Sequence, residues 1–319
     1  MKTLKVGLAQ ISPVWLAKKA TIEKVVDYIK QAGEQYCDLV VFGEAFIPGY
    51  PFWIELTDGA RFESSLQKEL HAFYMSQAVS ISDGDLADLC KACQSYNIAC
   101  VVGTIENAKD RGGHSLYCTL VYIDKKGLIQ STHRKLMPTY EERLSWAQGD
   151  GHGLRVHSLG AFTLGALNCW ENWMPLARTT LYGMGEDLHV AIWPGSVRNT
   201  EDITRFIAKE SRSYVISVSS ILTRKDILEH IPHHELIIKN TETEFLANGG
   251  SCIAAPTGEW LIEPVAEKEL LLIAELDHNQ VKMERQNFDP SGHYSRPDVL
   301  QLTVNRTRQS VIRIVEDSK

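Results

Sequence analysis

The sequence predicts an α/β protein with α+β-type layers: one domain in which two sheets carry outer helices, rather than a single doubly wound sheet. Three observations carry that expectation. The chain opens on a strand–helix–strand unit over residues 4–42. The short continuous apolar run Leu39–Phe42 suits a strand covered on both faces, and Leu188–Trp193 reads as another buried strand. Hairpins interrupt the strand–helix pairs, and no repeat, low-complexity tract or linker divides the chain.

Residues 4–10 alternate as a strand, and Ile22, Val25, Val26 and Ile29 recur at helical spacing, predicting a helix over 21–32. Gly43-Glu44 end the Leu39–Phe42 strand. Ile47-Pro48-Gly49-Tyr50-Pro51-Phe52-Trp53 joins Pro and Gly to large apolar side chains and reads as a shaped loop, a pocket wall. Leu66–Ala78 and Asp85–Tyr96 look helical, and Ile98–Ile105 is a strand rich in Val and Ile. Ser115–Ile123 and Leu128–Arg134 flank Asp124-Lys125-Lys126-Gly127, a hairpin turn with glycine where positive φ is expected. Lys135 follows, then a polar, Gly-rich loop with Glu141, Glu142 and Gly149-Asp150-Gly151.

Strands over 156–162 and 163–167 turn about Gly160-Ala161. Cys169 then sits at a strand-to-helix junction, with a helix expected over 174–182. Leu188–Trp193 is a buried strand ended by Pro194-Gly195. Asp202–Arg212 reads as a helix and Tyr214–Ile221 as a strand. Residues 223–248 are polar and read as a long surface excursion; a hairpin over 251–264 and a strand over 270–276 follow. The single domain is expected to span 1–300, with a short tail over 301–319.

Composition excludes several classes. The net charge of −7 leaves no basic excess to neutralise phosphates, so nucleic acid is not an expected partner. No apolar run approaches the roughly 18 residues of a membrane helix, and no signal-peptide core precedes the first strand. Seven scattered cysteines favour free thiols in a reducing, cytoplasmic setting.

The chemistry is expected at three strand ends. Glu44, Lys135 and Cys169 each stand just past a strand, and strands of one sheet can bring such ends together. A carboxylate can take a thiol proton as general base. An ammonium can hold that carboxylate ionised and stabilise negative charge on an intermediate. Taken singly, Glu44 as a helix or loop cap, Lys135 as a surface lysine and Cys169 as a small buried thiol are the commoner readings, and it is their joint placement that points to chemistry. Cys90-Lys91-Ala92-Cys93 has CxxC spacing but no second pair at zinc-ribbon spacing, and Pro232 breaks the spacing of His230, His233, His234 and Glu235, so no metal site is expected.

The motifs resemble those of the nitrilase superfamily of carbon–nitrogen hydrolases, and within it the true nitrilase branch. Phe42-Gly43-Glu44 with Pro48-Gly49-Tyr50-Pro51 is similar to the glutamate motif, although many relatives have proline at the position of Gly43. His133-Arg134-Lys135-Leu136 with Pro138-Thr139 is similar to the lysine motif, and Asn168-Cys169-Trp170-Glu171-Asn172 to the nucleophile motif. Glu142-Arg143 with Trp146 is similar to the loop supplying a second glutamate. The resemblance runs from Val6 to about Pro297.

It implies a four-layer αββα sandwich that forms homo-oligomers, dimers or larger, partly through the helix carrying Arg178, Tyr182 and the nearby Met184. It implies no metal and no organic cofactor. The expected reaction is hydrolysis of a small-molecule nitrile to acid and ammonia through a thioimidate and a thioester. Glu44, Lys135, Cys169 and Glu142 are the implied catalytic set, with the Trp170 N–H assisting. Tyr50, Trp53, Trp170, Trp193 and Pro194 are the expected substrate-binding residues. An amidase or carbamoyl-amine hydrolase on the same scaffold, or an idle assembly protein, stays open.

Overall fold

The computed structural model describes residues 3–312. Its strands, in chain order, are β1 (Thr3–Gln10), β2 (Leu39–Val41), β3 (Ala99–Asn107), β4 (Leu116–Ile123), β5 (Ile129–Arg134), β6 (Val156–Leu159) and β7 (Phe162–Asn168). They continue with β8 (Leu188–Trp193), β9 (Tyr214–Ser219), β10 (Ile221–Thr223), β11 (Phe245–Ala254), β12 (Trp260–Ala266) and β13 (Leu270–Asp277). The helices are α1 (Lys18–Glu34), α2 (Trp53–Leu56), α3 (Ser65–Ser76), α4 (Ala87–Tyr96), α5 (Pro175–Gly183), α6 (Val197–Ser211), α7 (His234–Asn240) and α8 (His278–Glu284).

Two mixed sheets form, in the orders β13-β1-β2-β3-β4-β5 and β10-β11-β9-β8-β7-β6, with β12 on β11. Each is built around a parallel trio, β1–β2–β3 in one and β7–β8–β9 in the other. The register sets Val6 against Leu39 and Leu39 against Ala99 in the first sheet, and Leu164 against Leu188 in the second. The inner faces pack together: Val6, Leu8, Leu39 and Val101 meet Leu164, Val190, Ile216 and Val218 in one buried cluster. Helices α1 and α4 cover the outside of the first sheet, through residues such as Val25, Ile29, Leu89 and Cys93. Helix α6 covers the second through Ile203, Ile207 and Ala208, and α5 through Ala177 and Leu181. Each valine, leucine or isoleucine among them contributes about 1.5–3 kcal/mol when fully buried. The result is the expected αββα sandwich.

The hairpin turn closes as expected, with Gly127 at φ 75° and Gly160 at φ 62° in the next one. Residues 223–248 depart from expectation. Instead of a surface excursion they hold the last residue of β10, all of α7 and the start of β11. Ile227, Ile231 and Ile237 are buried against Trp15, Trp53 and Tyr74. The segment reads as polar because charged residues and histidines separate its apolar side chains, yet most of those are spent on the core. Part of the expected tail also lies on the body: Arg308 and the Gln309 N–H bond to Asp150. Among the described residues no helix is long and apolar enough to cross a membrane.

Candidate active site

Glu44 is positioned by a break in the β2–β3 ladder. The Phe42 N–H donates to Val101, the Gly103 N–H to Gly43, and pairing resumes at Ile47 against Thr104. Residues 44–46 loop out between, with Ala45 at φ 49°. Bulges of this kind re-aim side chains beside functional sites. Gly103 lies directly beneath: a Cβ there would collide with the Gly43 carbonyl and come within 2.6 Å of Ala45 N and 2.7 Å of the Glu44 Cα. Glu44 is tied to the other sheet as well, its N–H donating to the Trp193 carbonyl at 3.1 Å.

Lys135 continues β5, its N–H donating to Cys118 on β4 at 2.7 Å. Its ammonium lies 2.9 Å from Glu44 Oε1 and 2.7 Å from Glu142 Oε2, with all three side chains buried. Glu142 starts no strand. It sits in a short 3₁₀ turn, Tyr140–Leu144, where its Oε2 also accepts the Thr139 N–H at 2.6 Å and its Oε1 the Tyr50 hydroxyl at 2.9 Å.

Cys169 follows β7 directly, at φ 44°. A left-handed conformation is costly for a residue with a Cβ, by about 1–3 kcal/mol, and persists only where neighbours hold it. They do. The Asn172 side-chain amide donates to the Cys169 carbonyl at 2.8 Å, and Asn172 Oδ1 lies 2.7 Å from His189, which is held in turn by Glu186 at 2.9 Å. The turn after Cys169 is a 3₁₀ helix, Cys169–Trp173, and α5 begins only at Pro175. The expected junction therefore has a tight turn in place of the first turn of an α-helix.

The three strand ends do converge, but not in one sheet. Glu44 and Lys135 belong to the first sheet and Cys169 to the second. The Cys169 sulfur and carboxylate oxygens of Glu44 and Glu142 lie within 4.8 Å of one another. Such a trio could ligate a cation; here the Lys135 ammonium bridges its two carboxylates.

The electrostatics follow from burial. Burial pushes the Glu44 carboxyl up to about 7, against the lowering effect of Lys135. Burial opposes charge on Lys135 too, but Glu44, Cys169 and Glu142 outweigh it and hold the ammonium protonated well above its ordinary range. Burial and then Glu44 push the Cys169 thiol well up, while Lys135 and a hydrogen bond from the Trp170 N–H draw it down. The resting cysteine is therefore a thiol with a base near neutrality beside it. Cys118 is a further buried thiol here, donating to Glu44 Oε1 at 3.5 Å.

A cavity of about 930 Å³ opens onto this group, its wall including Cys169, Glu142, Tyr50, Phe52, Trp170 and Pro194. Trp53 and Trp193 stand elsewhere. Trp53 is buried against Tyr74, and Trp193 packs under α6 with its ring N–H 3.3 Å from Ser217. Neither lines the cavity. Trp193 serves through its carbonyl, the acceptor for Glu44. Cys118, His133, Glu171 and Asn172 carry site contacts that sequence reasoning did not assign. The last three stand within the motifs quoted above, which was the one signal available for them.

Residues 5–286 match the sequence profile of the family described as carbon-nitrogen hydrolase. The chain belongs to the carbon-nitrogen hydrolase family. It is 34% identical to an aliphatic nitrilase of Rhodococcus rhodochrous, over 95% of this chain and 83% of that one. It is 35% identical to nitrilase 2 of Arabidopsis thaliana, over 95% of this chain and 88% of that one. These relatives set this carbon-nitrogen hydrolase in the nitrilase branch. Its fold is shared with the crystal structure of a carbon-nitrogen hydrolase from Helicobacter pylori G27, at TM-score 0.65 and 19% identity, covering 93% of this chain and 96% of that one.

Proposed function

We propose that this protein hydrolyses an organic nitrile to the carboxylic acid and ammonia through covalent intermediates on Cys169. The observation that carries the reading is the buried Glu44–Lys135–Glu142 ion cluster set against Cys169 in the cavity wall. Glu44 takes the thiol proton as sulfur adds to the nitrile carbon, and that proton passes to the nitrile nitrogen, giving a thioimidate. Water adds next, its proton taken by Glu44. The tetrahedral intermediate expels ammonia and leaves a thioester. A second water cleaves the carbon–sulfur bond, releasing the acid and returning the thiol. A base with a pKa near 7 suits both directions of proton transfer. Lys135 and the Trp170 N–H stabilise the negative charge that develops, a contribution of about 3–4 kcal/mol for one preorganised donor. Glu142 holds Lys135 in place, and Tyr50, Trp170 and Pro194 contact the substrate.

Ammonia release from a panel of aliphatic, arylacetonitrile and benzonitrile substrates tests the activity. Acid quenching during turnover should trap a thioimidate or thioester on the peptide holding Cys169. An adduct on another cysteine, or activity in Cys169→Ala, would overturn the reading. Faster turnover of an isosteric amide would shift it to an amidase.

We further propose a homo-oligomer and a cytoplasmic setting. The free state of all seven cysteines favours a reducing compartment. Arg178 and Tyr182 are buried within the chain and bonded to Glu210, so an interface on this face would use the apolar residues exposed beside them: Trp173, Met174, Leu176 (66% exposed) and Phe206 (49%). Light scattering showing only the 35.8 kDa monomer at micromolar concentration would count against it.

A further inference from the structure

We propose that Glu171 is a positioning residue whose carboxylate pins the end of β5 to the end of β7 and so sets the spacing between Lys135 and Cys169. The inference rests on the reading that those two residues carry the reaction. Glu171 is 1% exposed and does not line the cavity. Its Oε1 accepts the Leu136 N–H at 2.6 Å, and its Oε2 accepts the Asn168 N–H at 2.8 Å. His133 Nε2 lies 3.0 Å from both oxygens. Leu136 is the residue after Lys135, His133 stands two before it, and Asn168 is the residue before Cys169.

These partners belong to different sheets. β5 is the edge strand of the first and β7 lies in the second, and the strand ladders run within each sheet, not between them. The apolar contact between the sheets is non-directional and fixes separation better than lateral offset. A planar carboxylate receiving one N–H on each oxygen fixes direction as well, since charge-assisted hydrogen bonds are short and strongly oriented. Burial raises the cost of ionising Glu171, yet His133 and the two N–H groups outweigh it and hold the acid below its usual range. The pin is thus charged at neutral pH.

The residue type follows from the donor count. Three N–H groups converge on two oxygens, and only an ionised carboxylate is acceptor on both. Glutamine would keep the shape but turn an NH₂ toward one of those N–H groups, leaving a buried donor unpaired. Aspartate would keep both acceptors and the charge but draw them back by one methylene.

The experiment compares Glu171→Gln, Glu171→Asp and Cys169→Ala with wild type. Active sites are counted by alkylation of Cys169 in the folded protein, read as the mass shift of its peptide so that Cys90 and the other free thiols are not counted, and kcat and KM are measured per site. The expected order of kcat is Glu, then Asp, then Gln, with the Gln variant down roughly 10²-fold, as a misplacement near 1 Å costs. KM should move less than about threefold, because the cavity wall is untouched. If Glu171→Gln does not fold, Glu171→Asp carries the same test, with an intermediate kcat and wild-type KM expected. A kcat per site within about twofold of wild type in the folded variants, a KM rise with kcat unchanged, or a Gln variant at least as active as Asp would overturn the proposal. Activity surviving in Cys169→Ala would instead sink the reaction on which it rests. An inactive Cys169→Ala beside a fully active Glu171→Gln would remove the pin alone.

Discussion

Replacing Lys135 by Met tests the electrostatics of the site most directly. Methionine keeps an apolar shaft beside Trp146, whose ring centroid lies 5.5 Å from the ammonium, and removes only the charge. Glu44 and Glu142 then face each other with both side chains buried. Removing one partner of a buried ion pair costs about 3–5 kcal/mol while the other stays charged. The carboxyls can escape by taking up protons. Burial already lifts Glu44 from its ordinary 4.5 to about 7 with Lys135 opposing it, and without the ammonium it rises further. The folded variant then binds protons that the unfolded chain gives up. Each proton so held makes stability fall by about 1.4 kcal/mol per pH unit as pH rises through the interval between unfolded and folded pKa. The expected destabilisation is therefore about 3–5 kcal/mol near pH 8 and smaller near pH 5.5. Urea unfolding at both pH values, extrapolated linearly, measures it. Turnover should fall by about 10²–10³-fold where the variant is folded, since one fixed charge is lost from both tetrahedral steps. A penalty equal at the two pH values would refute the account of a buried, proton-sensitive pair. A kcat above about a tenth of wild type would remove Lys135 from the chemistry.

In wild type, kcat/KM should rise through about 7 as Glu44 ionises, and an acid limb near the ordinary 4.5 of a free carboxyl would show that another group is the base. Because the folded pKa lies above the unfolded one, this group's contribution to stability should decline between 4.5 and about 7 and then level off; thermal unfolding across that range checks the sign. Gly103→Ala should abolish turnover and cost at least about 1–3 kcal/mol, because the new Cβ meets backbone that no rotamer can move aside; a wild-type melting curve would disprove the close approach. Tyr50→Phe leaves Glu142 Oε1 without its donor and should lower kcat, with a stability loss of about 1–3 kcal/mol; unchanged kinetics would show that Lys135 and Thr139 hold Glu142 alone.

Much of the fold was legible because the deciding forces are local. The 3.6-residue spacing of Val25 and Ile29 puts both on the buried face of α1. The turn glycine at 127 is a matter of its own φ. A thiol, a carboxylate and an ammonium just past strand ends announced themselves by residue type and strand boundary, as did the motifs around them.

Local pattern cannot say which sheet a strand joins. Glu44 and Lys135 were legible as strand-end residues, but their meeting with Cys169 across two sheets depends on pairings as distant as Thr3 with Asp277. Trp53 and Trp193 show the same limit. An aromatic ring beside a glycine or proline suits a cavity wall or a core equally, and only the packing of α3 and α6 placed these two inside. The isoleucines of residues 223–248 were too sparse to signal burial until Trp15 and Tyr74 supplied the other half of their core. Glu171 is the clearest case. By itself the sequence determined that an acid stands two residues after Cys169. The Asn168 N–H on Oε2 is a local capping contact three residues away, but that Oε1 receives the Leu136 N–H just past β5 of the other sheet was decided by tertiary structure alone, because a hydrogen bond between distant residues depends on where both partners end up, and the sequence specifies that only through the whole fold.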